Sequence, residues 1–295
     1  MDRVWTVMEL VGWTANYLKE KGFHNPRLNA ELLLAGTLAV KRLDLYLQHD
    51  RPLGAEEMAA FKERLLRRAK REPLQYIDGT AAFRHLVLRV DPRVLIPRPE
   101  TERLVQAVLD WAAGRAALTA LDVGTGSGAI ALALATEGPF ARVVGVDLSA
   151  DALEVARANA AEAAPGAAAD FRHGSLFEAV AGERFDVVVS NPPYVGEEER
   201  EGLDAEVRDW EPRGALFAGP GGLEVIRPLV EQAPAHLNPG GLLALEIGAA
   251  QAAAVSELIR ATGAFAAPRV IADLSGRDRI VTAALTEGAE ATESR

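Results

Sequence analysis

The sequence predicts an α/β protein: a mostly parallel sheet flanked by helices, preceded by an N-terminal helical domain. Three observations carry this. From about residue 100 onward, apolar runs of strand length alternate with helical stretches. Before residue 80 the apolar spacing is helical only. Charge divides the same way, residues 1–90 carrying a net +4 and residues 91–295 a net −14, as two modules with different surfaces would. The length of 295 residues fits two domains. The chain has no cysteine, which excludes disulfides, thiolate–zinc sites, iron–sulfur clusters and a cysteine nucleophile.

Val4, Val7, Met8, Val11, Tyr17 and Leu18 recur at helical spacing, and Gly22 stops that helix. Asn25-Pro26 opens a second helix with Leu28, Leu32, Leu33 and Leu34 on its apolar face. A third starts near Gly54 and carries Phe61, Leu65 and Leu66. On it Arg64, Arg67, Arg68 and Arg71 share one face, expected to be either solvated or a partner-binding surface. These helices make a domain over 1–80. Phe83 and residues 86–90 form a strand pair within a linker over 81–99, closed by Asp91-Pro92. The sheet domain, over 100–285, has strands expected at 118–123, 142–146, near Phe171, and at 185–189, 242–247 and 279–284. Helices are expected at 100–113, up to Ala135, and at 150–163, 223–237 and 250–261. Residues 286–295 lack an apolar anchor and are expected to be a disordered tail. The acidic stretch 197–210 suggests a mobile, solvated lid.

The first chemistry lies in residues 121–130, LDVGTGSGAI, where an apolar strand runs into Gly124, Gly126 and Gly128 and a helix follows. Such glycines turn the backbone sharply and admit a ligand where a Cβ would stand in the way. Asp147 ends the next strand, 23 residues after Gly124. A carboxylate there suits the two ribose hydroxyls of an adenosine. The spacing is G-x-G-x-G, not the dinucleotide G-x-G-x-x-G, and Asp122 precedes it. An acid so placed favours a cofactor ammonium over a pyrophosphate. The pattern resembles the first motif of Rossmann-like S-adenosylmethionine-dependent methyltransferases. A dinucleotide is the alternative.

Strand 185–190 runs directly into Asn191-Pro192-Pro193-Tyr194. Two prolines rigidify the turn and remove two backbone donors. Asn191 offers an amide oxygen and Tyr194 an aromatic face, at the strand edge where open α/β sheets bind ligands. An amide or aniline-like nitrogen attacks a methyl sulfonium poorly because its lone pair is delocalised. The Asn191 side-chain oxygen and the Pro192 carbonyl would hold both N–H bonds and aim that lone pair. The Tyr194 face would stabilise the charge that grows on nitrogen. The motif fits a glutamine amide and a nucleobase amine alike.

Longer stretches narrow the choice. Residues 72–102, above all VLIPRPETE at 94–102, together with 211–227, 273–281 and the early AELLLAGTL at 30–38, resemble the protein-(glutamine-N5) methyltransferases of peptide chain release factors, the HemK/PrmC group. The resemblance covers essentially the whole chain. It implies methylation of the glutamine in the Gly-Gly-Gln motif of class I release factors, with S-adenosylmethionine as cofactor. Gly124, Thr125, Gly126, Ser127 and Gly128 would hold its methionine part, Asp147 its ribose and Leu176 its adenine. Asn191, Pro192, Pro193 and Tyr194 would form the glutamine pocket, with Asn191, Pro192 and Tyr194 catalytic and Asn191 also touching the cofactor. The family often has Gly-Asp-Gly-Leu where this chain has Gly219-Pro220-Gly221-Gly222-Leu223, and Asp78 stands at a commonly apolar position, a surface change. Residues 96–101, with Arg98 and Glu100, read equally as a rigid hinge or as part of the site. The helical domain would recognise the protein substrate.

The alternative enzyme is a nucleobase amino-group methyltransferase on DNA or RNA; the acidic sheet domain opposes it and the basic helix alone supports it. A cofactor-sensing module has no use for an amide-orienting pocket. His24, His49, His85, His173 and His236 have no metal-ligand spacing. With no signal-length apolar run at the start and no membrane-length one elsewhere, a cytoplasmic protein is expected, with no membrane partner and no stable nucleic-acid binding.

Overall fold

The computed structural model describes residues 4–286, in two compact units. The helical unit runs to Gly79 and takes in a later segment, Ala205–Trp210. Its helices are α1 (Val7–Glu20), α2 (Pro26–Leu38), α3 (Asp44–Leu47), α4 (Ala55–Ala69) and α5 (Leu74–Asp78). A reciprocal cap starts α1: the Thr6 hydroxyl accepts from Glu9 N at 3.4 Å and the Glu9 carboxylate from Thr6 N at 3.1 Å. Leu10 and Leu18 of α1, Leu33 and Leu34 of α2, and Phe61 and Leu65 of α4 close the core. Helical periodicity anticipated the three long helices; α3 and α5, at four and five residues, are too short to show it.

The arginine face of α4 is largely engaged within the helical unit, with Arg68 buried and Arg67 still partly exposed. Arg68 is 4% exposed and donates to Asn29 Oδ1 at 2.8 Å, the Glu72 carbonyl at 2.8 Å and Glu206 Oε1 at 2.7 Å. Arg67 grips Glu72 with two hydrogen bonds of 2.9 and 2.6 Å. Arg64 pairs with Asp78, the apparent surface change, and Arg71 donates to the Lys21 carbonyl at 2.7 Å. The Arg68 and Arg71 guanidinium groups lie over the Phe23 ring at 4.6 and 3.9 Å. Desolvated guanidinium is costly unless its donors are matched, and for this face partners come from α2, α5 and the 205–210 segment, although Arg64 Nε is buried without a hydrogen bond.

The second unit holds Thr80–Asp204 and everything from Glu211. Strands β1 (Thr80–Phe83) and β2 (Leu86–Arg89) form an antiparallel hairpin. Phe83, Leu86 and Leu88 are buried in the core of this unit beside Leu104 and Val105, so the segment expected as a linker is part of the fold. The order continues α6 (Pro99–Ala112), β3 (Leu118–Val123), α7 (Ala129–Glu137), β4 (Phe140–Asp147), α8 (Ala150–Ala163), β5 (Ala169–His173) and β6 (Phe185–Ser190). Then come α9 (Ala205–Trp210, in the helical unit), α10 (Arg213–Leu216), α11 (Ile226–His236), β7 (Leu237–Glu246), α12 (Ala252–Ala261), β8 (Arg269–Ala272) and β9 (Asp278–Ala284).

These seven strands pair in the order β5-β4-β3-β6-β7-β9-β8, with β9 antiparallel to both its neighbours and the rest parallel. Successive side chains feed opposite faces: Ala120, Val187 and Val189 enter one core, Leu121, Val123 and Val188 the other. Strand order reverses at β3, which has β4 on one side and β6 on the other. The C-terminal ends of parallel strands flanking such a reversal leave a crevice, the usual ligand position in this architecture. The expected tail begins at Thr286, which still donates to the Ala264 carbonyl at 2.8 Å; the remainder of that tail lies outside the described residues.

Candidate active site

At the C-terminal ends of β3, β4 and β6 lies a cavity of about 660 Å³, within the range of small-molecule sites. The loop after β3 forms one wall through Gly124 and Gly126. Their φ angles of +74° and +55° are left-handed, and a Cβ built on either would meet nothing within 4 Å, so the wall is bare backbone facing open space. Gly124 N and Thr125 N donate to the Val146 carbonyl at 2.8 and 3.0 Å, tying the loop to β4. Asp147, at the end of β4, stands on the same wall; its two oxygens accept from Gly126 N and Ser149 N at 2.8 Å each. That fixes the carboxylate while leaving lone pairs for a ligand. Leu176 lines the cavity with φ +50°, a strained conformation for a leucine and of the kind that gathers at ligand sites.

Behind the loop, Asp122 is fully buried and accepts from the Thr125 hydroxyl at 2.7 Å and Ala131 N at 3.2 Å; burial pushes its carboxyl up to about 7. It is not on the cavity wall and so does not meet a cofactor ammonium directly; its hydrogen bonds brace the loop. Thr125, Ser127 and Gly128 also sit behind the wall rather than on it.

Asn191, Pro192 and Pro193 line the cavity from the end of β6. Asn191 Nδ2 donates to Thr101 Oγ1 at 3.1 Å, and that hydroxyl donates to Glu246 Oε2 at 2.7 Å. The other Glu246 oxygen accepts from the Tyr194 hydroxyl at 3.3 Å. Glu246 is 1% exposed, and burial pushes its carboxyl up to about 7. Tyr194, which follows Asn191, Pro192 and Pro193, is anchored by that bond to Glu246. Its half-buried side chain packs against the core that holds Leu121 and Val188.

Residues 9–79 match the PrmC N-terminal domain and residues 101–206 the methyltransferase small domain. The chain is 46% identical over 278 residues to a release factor glutamine methyltransferase of Geobacter sulfurreducens, covering 94% of this chain and 96% of that one. A release factor glutamine methyltransferase of Koribacter versatilis is 45% identical over 258 residues, covering 87% and 90%. The chain belongs to the release factor glutamine methyltransferase family. The fold of this family member is shared with a Thermus thermophilus 16S rRNA N2 G1207 methyltransferase solved in complex with AdoMet and guanosine. The TM-score is 0.52 at 23% identity, covering 70% of this chain and 49% of that one.

In this release factor glutamine methyltransferase family member, Arg98 pairs with Glu211, which also accepts from Ile96 N at 3.2 Å. Residues 96–98 are therefore latched to Glu211, just before α10, while Thr101 of the same segment reaches Asn191. Within the acidic stretch, Gly221 N donates to Glu198 at 3.0 Å and Arg213 pairs with Glu197 at 3.1 Å. Residues 197–202 form a 3-10 helix, and Ala205–Trp210 belongs to the helical unit.

Gly222 approaches the backbone of the site motif closely. Its φ is +68°, and a Cβ there would fall 2.0 Å from the Tyr194 carbonyl oxygen. Gly222→Ala is expected to cost at least about 1–2 kcal/mol, seen as a lower denaturation midpoint, because a left-handed alanine is strained even before the carbonyl moves. An unchanged midpoint would mean that the loop relaxes freely.

Proposed function

We propose that this chain transfers a methyl group from S-adenosylmethionine to the side-chain amide nitrogen of the glutamine in the Gly-Gly-Gln motif of class I peptide chain release factors. The reading is carried by one observation: the acceptor-bearing Asn191-Pro192 turn and the bare glycine loop share a cavity, in a member of this family. The cavity fits the cofactor. Gly124 and Gly126 leave space where side chains would stand, Asp147 offers a fixed carboxylate to ribose, and Leu176 offers an apolar surface to adenine. When bound, S-adenosylmethionine supplies an electrophilic methyl group.

The protein's own part is to orient a poor nucleophile. Asn191 and Pro192 present acceptors to the two N–H bonds of the substrate amide, fixing its plane so that the nitrogen lone pair is aimed at the methyl. As the N–C bond forms, nitrogen gains positive charge and those acceptors bind it more tightly than in the ground state, which is what lowers the barrier. The alkylated nitrogen then gives its proton to water, so no strong base is needed. Buried Glu246 and half-buried Tyr194 support the pocket.

Recognition beyond the tripeptide falls to the helical unit in this reading. Its arginine face is largely engaged internally, so the contact surface is the apolar cleft of about 420 Å³ between α1 and α4, where Trp13 (46% exposed), Tyr17 and Leu66 (51%) meet Lys62. Trp13→Ala is expected to raise KM for the release factor about tenfold while leaving KM for a short Gly-Gly-Gln peptide unchanged. Equal effects on both would remove the cleft from recognition. Among the described residues no helix is long and apolar enough to cross a membrane, and we place the reaction in the cytoplasm with release factors.

The test is transfer of radiolabelled methyl to a release factor and to total nucleic acid offered side by side, with a release factor lacking the glutamine as control. Label confined to that glutamine is expected. Label on nucleic acid alone would keep the fold and overturn the substrate, although the basic helix face that favoured nucleic acid is already committed to ion pairs.

A further inference from the structure

We infer that Thr101 and Glu246 are positioning residues of the methyl transfer: Glu246 accepts the hydrogen bond of the Thr101 hydroxyl, Thr101 is left able only to accept from Asn191 Nδ2, and Asn191 Oδ1 is thereby turned to the substrate amide. The inference rests on the glutamine-methylation reading and says how the orientation that reading needs is enforced.

An asparagine amide is nearly symmetric in shape, its oxygen and nitrogen exchangeable by a half turn. Shape alone does not decide which end faces a substrate. The chemistry does require a choice, because a substrate NH₂ group needs an acceptor and the wrong end of Asn191 would meet it with a second donor. Thr101 supplies the choice only if its single proton is committed elsewhere. The 2.7 Å bond to Glu246 commits it. Asn191 Nδ2 then takes the lone pair at 3.1 Å, and the planar amide carries Oδ1 to the other side. The Tyr194 hydroxyl, on the second carboxylate oxygen, keeps Glu246 from swinging away. The connection spans α6, the turn after β6 and the end of β7, three elements that meet only in the folded sheet.

Charge state matters to this device. Burial and the Glu100 carboxylate raise the Glu246 pKa, while the Thr101 and Tyr194 hydroxyls and the Arg279 guanidinium lower it; burial dominates, and titration falls at about 7. Once protonated, Glu246 carries a proton of its own and can donate to Thr101 Oγ1. The Thr101 proton is then free to point at Asn191, which favours the reversed amide. Turnover is expected to fall on the acid side of about 7 for this reason.

The experiment compares the full chain with Thr101→Val, Thr101→Ser and Glu246→Gln in steady-state methylation of intact release factor across that pH range. Thr101→Val keeps the shape and removes the hydroxyl; kcat should fall about 10- to 30-fold, with KM for S-adenosylmethionine and for release factor unchanged. Thr101→Ser restores the hydroxyl and should return kcat to within about threefold of the parent. The acid limb of the parent should disappear in Thr101→Val and in Glu246→Gln. Parent-like turnover in Thr101→Val, equal losses in the valine and serine variants, or an acid limb that survives in Thr101→Val would each overturn the inference. Should Glu246→Gln fail to fold, the valine–serine pair and the pH profile of Thr101→Val still decide. If the parent labels a nucleobase instead of glutamine, the substrate reading falls by itself, and the same variants test Asn191 orientation on that amine.

Discussion

Asn191→Ala is expected to lower kcat by about 10²–10³ while leaving affinity for S-adenosylmethionine within a few-fold of the parent. The side chain stands at the end of β6 on the cavity wall, with one end of its amide held by Thr101. The oxygen at the other end is the acceptor that binds the substrate N–H more strongly as nitrogen becomes cationic. Removing it subtracts stabilisation realised mainly in the transition state, so the loss should appear in kcat and not in KM. The fold should survive, because truncation at this half-buried position leaves the buried neighbours Ser190 and Pro192 in place. Single-turnover label transfer at saturating release factor, beside calorimetric titration with cofactor, separates the two quantities. Turnover within threefold of the parent would take Asn191 out of the mechanism and leave the Pro192 carbonyl as the main acceptor.

The parts of this site that lie along one strand were legible in the sequence. The apolar runs of β3, β4 and β6 end at Gly124, Asp147 and Asn191, and a parallel alternating pattern places such ends on one edge of a sheet. The two residues behind Asn191 were not legible. Thr101 lies 90 residues before it, and Glu246 a further 145 residues beyond Thr101, at the end of a strand whose apolar run gives a carboxylate no apparent work. A glutamate in LLALEIG was the one available signal: a lone charge inside a core-facing run must be paired or functional. The arginine face of α4 failed for a related reason. Helical spacing says which residues share a face but not what covers it, and the cover on Arg68 includes Glu206, 138 residues away. Edge strand β8 was missed because its four residues, two exposed and then two half-buried, carry no alternation to detect. Periodicity reports a residue's relation to its own element, whereas catalytic geometry is set between elements.

Asp147→Ala is the complementary experiment, on affinity where Asn191→Ala acts on rate. The carboxylate has two duties that no neighbour shares. It holds the loop by accepting from Gly126 N, and it presents its remaining lone pairs to the cavity. Hydrogen bonds from a ligand to an ionised carboxylate contribute about 1.5–3 kcal/mol each. Losing a pair of ribose contacts, partly replaced by water, is expected to weaken S-adenosylmethionine binding by about 10²-fold. Asp147→Asn should not rescue it, since the amide nitrogen would face either Gly126 N or Ser149 N, donor against donor. The ribose hydroxyls are remote from the reacting nitrogen, so kcat at saturating cofactor should fall far less than affinity does. Calorimetry with the demethylated cofactor product gives the affinity, and a thermal melt without ligand shows whether the loop alone destabilises the fold. Binding within threefold of the parent would mean that Asp147 serves the loop and not the ribose, shifting the weight of recognition to the Gly124–Gly126 backbone and Leu176. A 10²-fold loss with an unchanged melt would place the ribose on this carboxylate, because a purely structural role would move the melt first.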